Sequence, residues 1–175
     1  MNTSNIERYL ESFGKYIVKQ SRTNLTKKNK NVNRDLYNSI RFKISQDEQG
    51  FSLKFYMLDY GTFVDKGVSG NKKIQEYTTY DGRKVESPYK FRSKQPPTGI
   101  LEKWIKARGL KGRNKETGRY ITNKSLAYAI AYNIKRNGIK GISFFQRPLQ
   151  LGLERFGENL LGAVKEDILN NITVR

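Results

Sequence analysis

The apolar residues of this 175-residue chain change period twice along its length, and that change limits the folds open to it. Near the N-terminus Ile6, Tyr9, Leu10, Phe13, Ile17 and Leu25 recur at intervals of three and four behind Thr3 or Ser4. This is the pattern of a capped helix with one apolar stripe. From Leu36 the period becomes two: Ile40, Phe42 and Ile44 alternate with Arg41, Lys43 and Ser45. After Gln46-Asp47-Glu48-Gln49-Gly50, Phe51, Leu53, Phe55 and Met57 alternate again, so an antiparallel hairpin with one buried face is predicted, the first helix lying on that face. Tyr56 and Leu58 make the other face of the second strand apolar as well, which leaves it either covered on both sides or stacked against a neighbouring copy. Past Pro148, a helix-start residue, the helical period returns through Leu149, Leu153, Phe156, Leu160, Leu161, Val164, Ile168 and Leu169. Gly152, Gly157 and Gly162 interrupt it. Each glycine costs about 1 kcal/mol in a helix interior, so close packing must offset it or the helix bends. The pattern predicts an α+β fold, a small antiparallel sheet packed by N-terminal and C-terminal helices.

Between these ends the chain is harder to place. Residues 26 to 33 read as a basic loop, and the segment from Tyr60 to Lys73 leaves the second strand through a tight turn or a single helical turn rich in glycine. Residues 71 to 95 surround Asp81-Gly82, a two-residue hairpin signal, and predict a projecting, basic, tyrosine-rich β-hairpin arm inserted in one domain spanning residues 1 to 175. Excising residues 74 to 91 is expected to leave the rest folded. Pro96-Pro97 and Thr98 open a short helix ended by Gly109, with Trp104 read as a core anchor. A charged loop follows. Thr122 or Asn123 then caps a slim, alanine-bearing helix over 122 to 137, with Leu126, Ala127, Ile130, Ala131 and Ile134 as its apolar positions.

Charge is concentrated in that middle. Residues 66 to 147 hold 20 Lys and Arg against 5 Asp and Glu, a balance of +15 within a chain total of +18. Such a concentration marks a surface for a polyanion or an acidic protein, unless it is merely solvated. The cations Lys72, Lys73, Arg83, Lys84, Lys90, Arg92, Lys94, Lys111, Arg113, Lys115 and Arg119 are the expected basic surface. They match no sequence-reading helix-turn-helix, zinc or RNA-binding pattern, so any nucleic-acid contact is expected to be non-specific. Tyr77, Tyr80, Tyr89 and Phe91 on the arm cannot all reach a core and are expected at an interface, with Tyr60 and Phe63. Apolar residues make up only 36% of the chain, while it carries 9 Phe and 11 Tyr, which suits a protomer that completes its burial against copies of itself.

The chain has no Cys and no His. Disulfides, thiolate metal sites, the usual general base and His-dependent nucleophile pairs are therefore excluded. Asp59 and Asp65 bracket the glycine turn, but carboxylates six apart among lysines are the ordinary composition of a salt-bridged surface, and the glycines at 61, 67 and 70 match no phosphate-loop spacing. No enzyme activity, metal or cofactor is expected. The N-terminus lacks a secretory pattern and no apolar run approaches roughly 18 residues, so a soluble protein made in a cytoplasm is expected.

Taken in order, these elements resemble a tailed-phage structural family, the tail-completion or head-tail joining proteins, which are neck or minor tail components of the virion. The resemblance is carried by the N-terminal helix, the two antiparallel strands and Tyr60-Gly61-Thr62-Phe63-Val64-Asp65-Lys66-Gly67. It continues through a variable arm, the helix near Pro97, the helix over 122 to 137, and Ser143-Phe144-Phe145-Gln146-Arg147-Pro148-Leu149, similar to the family's short aromatic-to-proline strand before the last helix. The arm at 71 to 95 and the insert at 110 to 121 depart from the family pattern. The resemblance implies a non-enzymatic bacteriophage protein of the virion neck, made in the host cytoplasm, that forms a closed ring below the portal around the DNA channel. Its partners would be copies of itself, portal and tail proteins, and genomic DNA in non-specific contact, with no membrane. A head-to-tail contact of this kind must close or it grows into a filament. The runner-up reading is a small non-specific DNA-binding protein, and a third, weaker one is a metal-dependent nuclease using Asp59 and Asp65.

Overall fold

The computed structural model describes residues 4–30, 33–48 and 50–173; Thr3, Asn31, Val32 and Gln49, which the sequence reading placed in a cap, a loop and a turn, lie outside the described residues. The fold is α+β, as the alternating periods predict. Its contacts group into two compact units, each discontinuous in sequence: residues 1–61, 78–83 and 144–175 form the first, residues 62–77 and 84–143 the second. The sequence reading had one domain carrying an arm. The second of these units buries residues of its own, Val68, Ile105, Ala127 and Ala131.

The first unit is built on two long antiparallel helices, α1 (Ser4–Lys27) and α6 (Gln146–Thr173). Phe156 of α6 packs against three rings spaced along α1, those of Tyr9, Phe13 and Tyr16, at centroid distances of 5.8, 5.6 and 5.4 Å. Edge and tilted contacts of this kind add to the area they bury. The Tyr9 hydroxyl donates to the Phe156 carbonyl. At one end of the pair the buried Asp167 side chain accepts from the N–H groups of Asn5 and Ile6, at 3.4 and 3.0 Å. The last helix thus supplies the carboxylate that satisfies the free donors, and the positive dipole end, of the first. At the other end Gly152 lets the helices approach, since a Cβ there would sit 2.7 Å from Ile17 Cδ1. Gly157 and Gly162 have nothing within 4 Å, so close packing accounts for one of the three helix glycines.

Residues from Leu36 to Ser39, which the sequence reading placed in the strand, instead form a short helix, α2 (Asp35–Ser39). Arg22 of α1 explains why it stops where it does: its guanidinium donates to the carbonyls of Tyr37 and Ile40, at 3.0 and 2.9 Å, and holds the turn that buries Leu36 and Ile40. The hairpin follows as β1 (Arg41–Asp47) and β2 (Gly50–Tyr56), in the register Phe42 with Phe55 and Ile44 with Leu53. The face carrying these residues turns to α1, where Gly14 leaves room for the Phe42 ring, and Phe145 at the entry to α6 packs on Phe55. On the opposite face Tyr56, and Leu58 just past the strand, are each 40% exposed.

The second unit has short strands and more backbone crossings. Where a tight turn or a single helical turn was expected, the chain forms the helix α3 (Gly61–Lys66), followed by β3 (Val68–Ser69), which pairs antiparallel with β6 (Gly138–Ile139). Ser69 is its hub: the N–H donates to the Tyr89 carbonyl, the carbonyl accepts from the Phe91 N–H, and the buried hydroxyl accepts from the Gln75 N–H. Gly138, at φ 77°, sits where a Cβ would lie 2.2 Å from the Val68 carbonyl oxygen, so only glycine fits both the angle and the space. The predicted arm is the hairpin β4 (Glu76–Thr78) with β5 (Lys84–Glu86), three residues a strand around Asp81-Gly82. Its base is tied into the second unit, with Ser87 N–H donating to the Gln75 carbonyl and Gln75 Nε2 to the Asn137 carbonyl. Excising residues 74 to 91 would therefore dismantle the second unit rather than spare it.

The helices α4 (Thr98–Arg108) and α5 (Asn123–Asn137) pack on each other, burying Ile105, Ala127 and Ala131. Both ends expected from sequence are present: Gly109 at φ 63° closes α4, and the Thr122 side chain accepts from Ser125 N–H to open α5. Trp104, read as the core anchor, is 38% exposed, because the helical phase gives the inward position to its neighbour Ile105. The aromatic-to-proline segment is not a strand. Ile142 and Ser143 are held by the carbonyls of Val64 and Asp65, and Ser143 takes φ 47° before the fully buried Phe144.

Candidate functional site

The two units divide the charge unequally. The second holds 18 Lys and Arg against 5 Asp and Glu, a balance of +13, and the first, which is larger, holds 16 against 11, a balance of +5. All eleven cations expected at a basic surface are exposed. Arg83 differs from the rest. It belongs to the hairpin tip in the first unit and is paired with Asp81, its Nη2 at 2.5 Å and its Nε at 2.6 Å from Oδ2. That pairing, with a hydrogen bond from Thr79, holds the Asp81 carboxyl down at about 2. None of the other ten forms an ion pair among the described residues. A cation whose charge is offset locally contributes less to the field around it than one that is not, so Arg83 adds less to the positive field than these ten do.

The charged loop after α4 is an ordered hairpin. Arg113 and Tyr120 bridge it, the Arg113 guanidinium lying 4.5 Å from the Tyr120 ring centre and donating to its hydroxyl at 2.7 Å. Asn114 Oδ1 accepts from the N–H groups of Glu116 and Thr117, at 2.8 and 3.1 Å, which fixes the turn by the usual asparagine mechanism. Lys111, Arg113, Lys115 and Arg119 are thereby presented on a shaped loop.

The expected interface aromatics separate into two groups. In the second unit Phe63 and Tyr89 meet edge to face at 4.6 Å, and with Phe91, Val68 and Ile139 they line an open groove of about 500 Å³, with Lys90 and Arg92 also in its wall. Tyr77 is half-buried and lies 5.8 Å from the Lys66 ammonium. In the first unit Tyr80 is exposed, its N–H donating to the Gln146 side chain at 3.0 Å, and Tyr60 is exposed beside α2. Partial burial first, and then the Asp35 carboxylate, push the Tyr60 hydroxyl up from its ordinary value.

Asp59 is exposed and in the first unit, whereas Asp65 is buried and in the second. No group of three His, Cys, Asp or Glu that could hold a metal ion occurs among the described residues. No described helix is long and apolar enough to cross a membrane.

Sequence reasoning missed one feature of the second unit. Tyr128 and Tyr132 on α5, 60% and 54% exposed, stand one turn apart with Lys124 one turn before them and Arg136 one turn after. The i, i+4 spacing of Lys124, Tyr128, Tyr132 and Arg136 is legible in the sequence, but the packed alanines beside it, Ala127 and Ala131, point to packing alone. A pocket of about 230 Å³ at the end of this stripe is lined by Asn71, Lys72, Tyr132, Lys135 and Arg136. No family model, curated protein or solved structure matches the chain.

Proposed function

We propose that this chain is a non-enzymatic structural protein of a bacteriophage virion, a neck or tail-completion subunit that forms a closed ring joining the portal to the tail around the DNA channel. The observation that carries the reading is the segregation of +13 of the charge, with ten cations unpaired, into one unit, while the other leaves apolar surface open. Tyr56 and Leu58 on the hairpin, and Leu153, Leu161 and Ile168 on α6, are exposed apolar residues of that first unit. Exposed apolar residues of this kind suit contact between copies, and unpaired cations suit the genome or acidic portal and tail surfaces. The order of elements from α1 through the hairpin, α3, α4, α5 and α6 follows the order on which the resemblance rests, except that the segment before α6 is not the strand it implies.

Sedimentation velocity over a concentration series, with negative-stain microscopy of the heaviest species, tests it. A closed assembly of one discrete size is expected, and Leu58→Glu or Leu161→Glu should shift it to monomer. A wild-type chain that stays monomeric throughout, with or without portal rings, contradicts the ring. The ten unpaired cations favour a second reading, a non-specific DNA-binding protein. Steep, sequence-independent binding by the monomer in gel shifts at low and moderate salt would select it.

A further inference from the structure

We propose that the exposed face of α5, from Lys124 through Tyr128 and Tyr132 to the pocket of Lys72, Lys135 and Arg136, is a binding site for single-stranded nucleic acid. The inference rests on the polyanion-facing reading of the second unit and is independent of whether the subunit forms a ring.

The cations of the pocket come from two distant segments. Lys135 and Arg136 end α5, and Lys72 arrives from the loop after β3, joined to the helix end by its N–H donating to the Arg136 carbonyl at 2.9 Å. Lysines and arginines at a helix C-terminus ordinarily offset its exposed carbonyls. Here the carbonyls of Lys135, Arg136 and Asn137 already accept from Asn71 N–H, Lys72 N–H and Gln75 Nε2. The pocket contains no acidic residue, and none of Lys72, Lys135 and Arg136 forms an ion pair among the described residues. Three like charges are therefore gathered with no ion-pair partner among the described residues, and an anion is the missing component.

The tyrosines say which anion. Neither the Tyr128 nor the Tyr132 ring meets another ring or a cation among the described residues, although each is more than half exposed. Four residues along a helix advance about 6 Å, which sets the two rings side by side along one face. Unstacked bases can lie on two rings so spaced while the phosphates between them meet Lys124, Lys72, Lys135 and Arg136. Cationic grooves interleaved with aromatic rings hold single strands without regard to sequence in this manner. A duplex hides its base faces and would use only the cations.

Fluorescence anisotropy with labelled oligothymidylate and with a duplex of equal length, at two salt concentrations, tests the site on the full chain. Wild type should bind the single strand. Tyr128→Ala with Tyr132→Ala should weaken that binding about ten-fold or more per ring, leave duplex binding unchanged, and be rescued by phenylalanine at both positions. Lys72→Gln, Lys135→Gln and Arg136→Gln together should lower the single-strand salt slope by about 2. Equal losses for duplex and single strand, or no loss on removing the rings, overturn the proposal. Wild type that ignores the oligonucleotide but binds polyglutamate overturns it in favour of an acidic protein. Sedimentation of the same samples reports the ring separately, so the two readings fail independently.

Discussion

The two units reach order by different routes. The first is held by side chains: long apolar stripes on α1 and α6 meet, Phe156 packs on three rings, and the hairpin lays one face on α1. The second is held largely by backbone: two-residue strands, the Ser69 hub, and a glycine crossing with no space for a Cβ. A unit with so little apolar core can present a surface of unpaired cations because directed hydrogen bonds, rather than buried area, fix its loops. Each such bond contributes about 1 kcal/mol net, and more is lost when a buried partner is stranded.

This contrast is sharpened most by Gly138→Ala. The substitution strains a left-handed residue and pushes a methyl into the Val68 carbonyl, so it should cost about 3 kcal/mol and lower the thermal midpoint, with hydrogen exchange accelerating first in residues 62–77 and 84–143. Faster exchange confined to α1 and α6 would show that the second unit does not depend on the crossing. Phe156→Ala attacks the side-chain route and should cost about 2–3 kcal/mol, read as a shift in denaturant midpoint with the exchange change in the first unit.

Gly157→Ala runs the other way. It lies inside α6 with nothing within 4 Å, so replacing glycine should stabilise by about 0.5–1 kcal/mol; a loss would mean that the position is covered in solution, as by a neighbouring copy. The smallest effect belongs to the hairpin tip. Because the Asp81 carboxyl is lowered to about 2 in the folded chain, its pairing stabilises fully above the ordinary carboxylate range and is lost as pH falls through about 2. Amide shifts of Tyr80 and Arg83 followed from pH 5 downward should move with a midpoint near that value; a midpoint at the ordinary carboxylate pKa would show the turn to be open.

The same contrast explains what could be read from the chain. Periodicity reports side chains, so α1, the hairpin from Arg41, α5 and α6 were legible, together with the caps at Gly109 and Thr122. Leu36 was misplaced because an apolar residue one turn before a strand fits either period, and only the Arg22 contacts decide for a helix. Trp104 was misplaced because residue size outweighed helical phase. The pairing of β3 with β6, and the arrival of Lys72 beside Arg136, join segments more than sixty residues apart through backbone groups that every sequence possesses. Nothing in composition marks them. For the candidate site, the cations were legible by charge alone. The tyrosine stripe was missed because its turn spacing coincides with that of the packed alanines immediately before each ring, Ala127 and Ala131.

In the proposed function the cations of the second unit, and not those of the first, are turned toward an external polyanion. Paired charge reversals test it most directly, by titrating an oligonucleotide against Lys111→Glu, Arg113→Glu and Lys115→Glu together, and separately against Lys15→Glu, Lys19→Glu and Lys43→Glu. The first set should sharply weaken binding and flatten its salt dependence, while the second stays near wild type. Equal weakening by both sets would contradict it, because the charge would then act as a diffuse field with no dedicated surface.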